Sequence, residues 1–279
     1  MSDVFYHLAR LGLWAGGFRS RYLQTSVGEV HALVAEGTGS APPIVVQHGI
    51  GSTAVHFGRV LPSLRRASRR VIAVDLPGHG FSGVPEVPLK GALVPGLAEA
   101  LDALIDEPVV FVGNSLGGAA AVRYAHLRPG RVRGLLLVSP GPVEMPESDL
   151  PEFLARFQLD DFEGAVRFVD RIYASPPPYR RLIAPSVRAA FSRPHLRELV
   201  DSVGLDDLLR PDELRSLAMP VRVLWGAREG LLPTGHLDFL RANLPAHAEL
   251  HEPDWGHCPH LDDPRSLGEA IEGYATQWA

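Results

Sequence analysis

Apolar residues follow two different spacings along this chain. Short continuous runs rich in Val, Ile and Leu occur at residues 44–47, 70–75, 109–112, 135–138 and 221–225. Between them, apolar residues recur every three or four positions, as at Leu93, Leu97, Leu101, Leu104 and Ile105. Continuous runs predict strands buried on both faces, and the wider spacing predicts helices with one apolar side. Residues 54–67, 92–106 and 264–278 are expected to be helical. Residues 22–25 and 29–35 predict an opening antiparallel pair turned at Val27-Gly28, and 249–251 a last short strand. Strands alternating with helices give a parallel sheet with right-handed crossovers.

The alternation stops between residues 141 and 219, where only helical signals appear. Asp160 and Glu163 have the spacing of a capping box for a helix over 162–173. Pro176-Pro177-Pro178 then stops the chain, 182–191 and 196–203 follow, and Pro211 opens a short helix over 212–217. The expected organisation is a core of residues 1–140 and 220–279, with 141–219 inserted between strands as a helical cap.

Composition narrows the function. The 279 residues are 46% apolar, enough for one large α/β domain, and the net charge of −5 is spread over both signs. Without a basic block, nucleic acid is not an expected partner. The one cysteine, Cys258, allows no internal disulfide and no cysteine-based metal site. Pro253 breaks the zinc-protease pattern that His251-Glu252 begins, so neither metal nor cofactor is expected. No apolar stretch approaches the ~20 residues of a membrane-spanning helix. No signal-peptide layout opens the chain, which makes a cytoplasmic location the expectation. Residues 4–18, with Val4, Phe5, Leu8, Leu11, Leu13, Trp14 and Phe18, suit an amphipathic helix. Docking on its own domain is favoured there over attachment to a membrane.

Candidate chemistry centres on residues 109–118, Val-Val-Phe-Val-Gly-Asn-Ser-Leu-Gly-Gly. A strand, a sharp turn and a small-residue helix follow one another, with the Ser115 hydroxyl at the turn. A Cβ at Gly113 or Gly117 would crowd such a turn, and the helix N-terminus favours developing negative charge beside Ser115. A serine needs a base, and the base needs an orienting acid. Of the 12 histidines, His257 stands just past the last predicted strand, on a loop bounded by Pro259 and Pro264. Glu229 follows the run at 221–225 and is the first candidate acid. Glu144, after the preceding run, is the second. Oxyanion donors are expected from the backbone N–H of Leu116 and from the loop His48-Gly49-Ile50-Gly51, at Ile50 or Gly49. His48 itself reads as a residue that fixes the loop.

Gln47-His48-Gly49-Ile50-Gly51, Asp75-Leu76-Pro77-Gly78-His79-Gly80-Phe81-Ser82, Gly113-Asn114-Ser115-Leu116-Gly117-Gly118, Trp225-Gly226-Ala227-Arg228-Glu229 and Gly256-His257 stand in this order. Together they resemble the α/β-hydrolase superfamily over residues 21–278, most closely its serine esterases and lipases of the monoacylglycerol-lipase kind. The resemblance implies a mostly parallel, twisted eight-stranded sheet flanked by helices, with an inserted cap. It also implies the order Ser, acid, His, and hydrolysis of a small-molecule carboxylic ester through an acyl-enzyme. Glu229 stands where this family usually has Asp. A carbon–carbon bond hydrolase of ring-cleavage products, a cofactor-free perhydrolase and a non-enzymatic small-molecule receptor use the same fold. Cys258-Pro259-His260 differs from the Trp-Ala-Gln usual after the histidine in the first of these. Asn114, Phe153, Phe157, Phe162, Phe168, Tyr173 and Leu182 are the candidate pocket residues.

Overall fold

The computed structural model describes residues 2–279, with side chains from residue 6 onward. Eight strands form one sheet: β1 (Arg19–Thr25), β2 (Gly28–Glu36), β3 (Ile44–Gln47), β4 (Arg70–Val74), β5 (Val109–Asn114), β6 (Val132–Val138), β7 (Val221–Leu224) and β8 (Glu249–His251). Their order is β1-β2-β4-β3-β5-β6-β7-β8. β1, β2 and β4 pair antiparallel, and every other neighbour is parallel. The hairpin closes with Thr25 opposite Gly28, so the turn residues are Ser26 and Val27.

Val, Ile and Leu fill the central strands because helices cover both faces of the sheet. In β5, Val109 and Phe111 enter one apolar core while Val110 and Val112 enter the other. This alternation follows from the two-residue period of a strand. The helices are α1 (Ser2–Ala15), α2 (Leu61–Ala67), α3 (Leu89–Leu104), α4 (Leu116–Leu127), α5 (Leu150–Ala155), α6 (Phe162–Ile172), α7 (Arg180–Phe191), α8 (Pro194–Ser202), α9 (Pro211–Arg215), α10 (Gly235–Asn243), α11 (Pro259–Asp262) and α12 (Pro264–Gln277). α5 to α9 occupy the interval between β6 and β7.

Three local expectations need correction. The predicted helix at 54–67 is a 3-10 turn (Ala54–Phe57) followed by α2. Pro62 at the start of α2 lacks the N–H that would continue one ladder. The cap of α6 is Asp161, not Asp160. Asp161 is extended and accepts from Gly164 N–H at 2.5 Å, while the Asp160 carboxylate faces Arg197 at 3.3 Å. Glu163 therefore lies one position short of a capping box, and it pairs with Arg181 at 2.6 Å. α5 was not anticipated from the sequence pattern. In the amphipathic stretch at the N-terminus, the side chains of Val4 and Phe5 lie outside the described residues. Tyr6, Ala9 and Leu13 of α1 pack on the core behind the sheet.

Candidate active site

The nucleophile candidate sits where β5 meets α4. Ser115 has φ 57° and ψ −124°, a left-handed region that costs roughly 1–3 kcal/mol for a residue with a Cβ. The surrounding contacts enforce it. Ser115 N–H donates to Val138 O at 3.0 Å, and Ser115 O accepts from Gly118 N–H at 2.8 Å and Gly141 N–H at 3.2 Å. Small residues are required on both sides of the turn. A Cβ on Gly113 would stand 2.4 Å from Gly117 O, and one on Gly117 would stand 2.5 Å from both Gln47 O and His48 O.

β3 delivers the second segment. Gly49 lies so close to Ser115 that a Cβ there would be 3.0 Å from the serine Cβ and 3.4 Å from its Oγ. His48 fixes this segment from beneath. Its Nδ1–H donates to Gly49 O at 2.7 Å, and its Nε2 accepts from Leu76 N–H at 3.1 Å. Those two bonds require the neutral ring, and burial pushes the His48 pKa below its ordinary value. Among the described residues, the backbone N–H groups of Gly49, Ile50 and Leu116 donate to no protein acceptor.

β7 and β8 bring the remaining pair. His257 Nδ1–H donates to Glu229 Oε2 at 2.7 Å, and both side chains are almost fully buried, at 3% and 4% exposed. Glu229 Oε1 accepts from Leu231 N–H at 2.8 Å and Leu232 N–H at 3.0 Å. Burial alone would raise this carboxyl's pKa. The charge and hydrogen bond of His257, with the two backbone donors, outweigh burial and hold it below the usual carboxylate range. Glu144 is exposed, its backbone N–H bound to Leu209 O at 2.9 Å. Among the described residues, Glu229 is the one carboxylate hydrogen-bonded to the His257 ring. Asp254 pairs instead with the exposed Arg228.

The two loops that carry Glu229 and His257 touch at their bases. A Cβ on Gly226 would be 2.5 Å from Gly256 O. Asn114, expected in a pocket, instead ties the nucleophile turn to the histidine loop. Its Nδ2 donates to His257 O at 2.9 Å and to Val138 O at 3.1 Å. No hydrogen bond joins the Ser115 hydroxyl to His257 among the described residues, and the catalytic contact in such sites often tightens only with substrate bound.

Two acids that sequence reasoning did not single out hold this frame. Asp262 Oδ2 accepts from Gly256 N–H at 3.2 Å and Ala174 N–H at 2.8 Å, fastening the histidine loop to the segment after α6. Asp75, fully buried, accepts from His31 Nδ1–H at 2.8 Å, Thr53 Oγ1–H at 2.8 Å, Ala54 N–H at 2.7 Å and Phe81 N–H at 3.0 Å. Burial pushes its carboxyl up, but the His31 hydrogen bond, the nearby imidazole charges and the Ala54 N–H bring it down to about 2. The Asp-x-Pro-Gly-His-Gly run carried the only sequence signal for Asp75.

The expected pocket residues divide. Phe153, Phe157 and Phe168 are buried, and with Phe191 they form an aromatic cluster at ring separations of 5.0–6.2 Å. Phe191 reaches Gly51, where a Cβ would be 2.7 Å from its ring. Phe162 is partly buried under the Arg181 guanidinium at 4.7 Å, and Tyr173 is partly buried in the same core. Leu182 requires correction, because it is 79% exposed. Ala184 and Phe191 set the buried face of α7, and Leu182 lies about 200° around the helix from Ala184. A cavity of about 230 Å³ adjoins Gly51, lined by Tyr6, Gly51, Ser52, His79, Ser186 and Arg193 among others. None of the seven expected residues lines it.

A strained serine at a strand–helix turn, a buried imidazole–carboxylate pair and this sheet order define the fold class. The chain belongs to the alpha/beta hydrolase fold family, whose model matches residues 42–264. It is 31% identical over 261 residues to the pimeloyl-[acyl-carrier protein] methyl ester esterase of Chromobacterium violaceum, covering 87% of this chain and 99% of that protein. It is also 31% identical over 261 residues to an uncharacterized protein of Mycobacterium tuberculosis, covering 85% of this chain and 76% of the relative. Among solved structures, a carboxylesterase of Bacillus subtilis superposes with a TM-score of 0.75 at 20% identity, covering 97% and 96% of the two chains.

Proposed function

We propose that this protein is a serine hydrolase of carboxylic esters, with Ser115 as nucleophile, His257 as base and Glu229 as the acid that orients it. The observation that carries the reading is the buried 2.7 Å bond between His257 Nδ1 and Glu229 Oε2. That bond fixes the ring proton on Nδ1 and leaves the Nε2 lone pair for the serine proton. Ser115 Oγ attacks the ester carbonyl as its proton passes to His257 Nε2. The N–H groups of Leu116 and Ile50 hold the oxyanion. As the tetrahedral centre collapses, the C–O bond breaks and the alcohol leaves with the proton from His257. Water, deprotonated by the same imidazole, then releases the acid and restores Ser115.

Relatives named as methyl ester esterases support an ester over a carbon–carbon bond as the reacting group. A fluorophosphonate probe tests the nucleophile. Labelling is expected on Ser115 and is expected to vanish in Ser115→Ala, with hydrolysis of nitrophenyl esters lost in parallel by several orders of magnitude. Labelling elsewhere, or a folded wild type that neither labels nor hydrolyses, overturns the proposal and favours the receptor. Faster turnover of a vinylogous diketone than of any ester would favour the carbon–carbon hydrolase.

A further inference from the structure

α1 has two apolar sides, and only one of them is used by the fold. Tyr6, Ala9 and Leu13 lie within about 60° of one another around the helix and pack inward, with Leu13 just 5% exposed. Leu8 and Leu11 project from the opposite side at 61% and 51% exposed, and Trp14 flanks them at 37%. A helix that only needed to dock would gain nothing from leucines on its outer face.

The charge around this stripe is mostly basic. Residues 2–28 contain Arg10, Arg19 and Arg21 against one acid, Asp3, although the whole chain carries −5. Arg65 joins them, its guanidinium against Gly17 at the end of α1. Among the described residues, none of these four arginines forms an ion pair with a carboxylate. Arg10 donates to Tyr22 OH at 2.8 Å and stacks over Phe81 at 4.2 Å and Trp14 at 5.2 Å. Arg19 donates to Trp14 O at 2.9 Å and Phe18 O at 2.8 Å. Arg65 donates to Glu36 O, while the Glu36 carboxylate pairs with Arg70 at 3.3 Å.

From this apolar stripe and the arginines around it we infer that α1 is an interfacial helix that seats the protein on an anionic phospholipid surface. Leu8, Leu11 and Trp14 enter the headgroup boundary, and the arginines meet lipid phosphates. A second copy of the chain fits poorly, because a two-fold contact would bring like charges together over three apolar residues. On the ester hydrolysis proposed above, the position suits delivery of a lipid ester. Tyr6 of α1 lines the same cavity as Gly51 and Ser52, and its ring meets His56 at 5.4 Å. The docked face and the oxyanion segment therefore share one end of the molecule.

The test is sedimentation of the full chain with phosphatidylcholine vesicles, with and without phosphatidylglycerol. Binding is expected to the anionic vesicles, to weaken with added salt, and to fall at least about tenfold in Leu8→Ser/Leu11→Ser. Trp225, Trp255 and Trp278 are buried, so a vesicle-induced blue shift of fluorescence should come from Trp14 and disappear in Trp14→Phe. Hydrolysis of a soluble nitrophenyl ester should be unchanged in the double variant, which separates loss of seating from loss of fold or catalysis. Equal binding to neutral and anionic vesicles overturns the inference. So does a double variant that binds like the wild type, or a wild-type dimer that the double variant converts to monomer.

Discussion

Replacing Glu229 by Gln keeps the shape of the acid and removes its charge, and the surrounding bonds dictate the consequence. Glu229 Oε1 accepts two backbone N–H bonds, from Leu231 at 2.8 Å and Leu232 at 3.0 Å. Those donors select the oxygen of a glutamine amide, because turning its NH2 toward them would leave buried donors unpaired at about 1–3 kcal/mol each. The NH2 is then forced toward His257 Nδ1, where Oε2 now sits at 2.7 Å. Two donors cannot face each other, so the ring proton moves to Nε2. That tautomer has no lone pair for the Ser115 proton, and the imidazolium formed later has lost its counter-charge. The expected fall in kcat is about 10²–10⁴-fold, or roughly 3–5 kcal/mol of barrier. KM should stay within about threefold, since the Glu229 carboxylate is taken up by His257, Leu231 and Leu232.

Steady-state kinetics on a nitrophenyl ester, with circular dichroism to verify folding, measure this. Glu229→Asp adds a second arm. It restores the charge but draws the carboxylate back by about 1.5 Å, one carbon–carbon bond, so its kcat should lie between wild type and Glu229→Gln. If Glu229→Gln keeps kcat within about threefold of wild type, Glu229 does not set the tautomer and the reasoning fails.

Two further outcomes are expected. Asn114→Leu removes the bonds to His257 O and Val138 O while keeping the branching of the side chain, so kcat should fall about 10–100-fold with nearly unchanged far-ultraviolet dichroism; a lowered melting temperature with full kcat would show that Asn114 supports only the fold. Asp75 is held at about 2 against 3.8 when free, so its carboxylate form favours the native state by about 2–3 kcal/mol above pH ~4. That contribution should fade as pH drops from about 4 through about 2 and be missing from Asp75→Asn, and equal slopes for wild type and variant in urea titrations across that range would contradict it.

How far the site was legible depended on whether sheet geometry or side-chain packing places each residue. Continuous apolar runs marked the buried strands and alternation or position the outer ones, so the pattern located all eight, with no end off by more than three residues. The sheet sets β3 beside β5 and parts β5 from β7 by β6 alone, so Gly49, Ser115 and Glu229 follow strands at one edge, and the family resemblance supplied their order. Helices α5 to α9 obey no such rule. Which side of α7 is buried depends on Ala184 and Phe191 meeting partners on other helices, and composition around Leu182 does not encode that. Asn114 and Asp262 escaped for a related reason. Asn114 acts on a carbonyl 143 residues away, and Asp262 acts on the backbone of Gly256 and Ala174. Backbone acceptors and donors are present at every position, so no residue type at the receiving end marks such a clamp. A carboxylate facing an imidazole is different, because both partners are chemically distinctive and few in number. The imidazole–carboxylate pair was therefore nameable in advance, while the residues that hold it in place emerge only when the chain is folded.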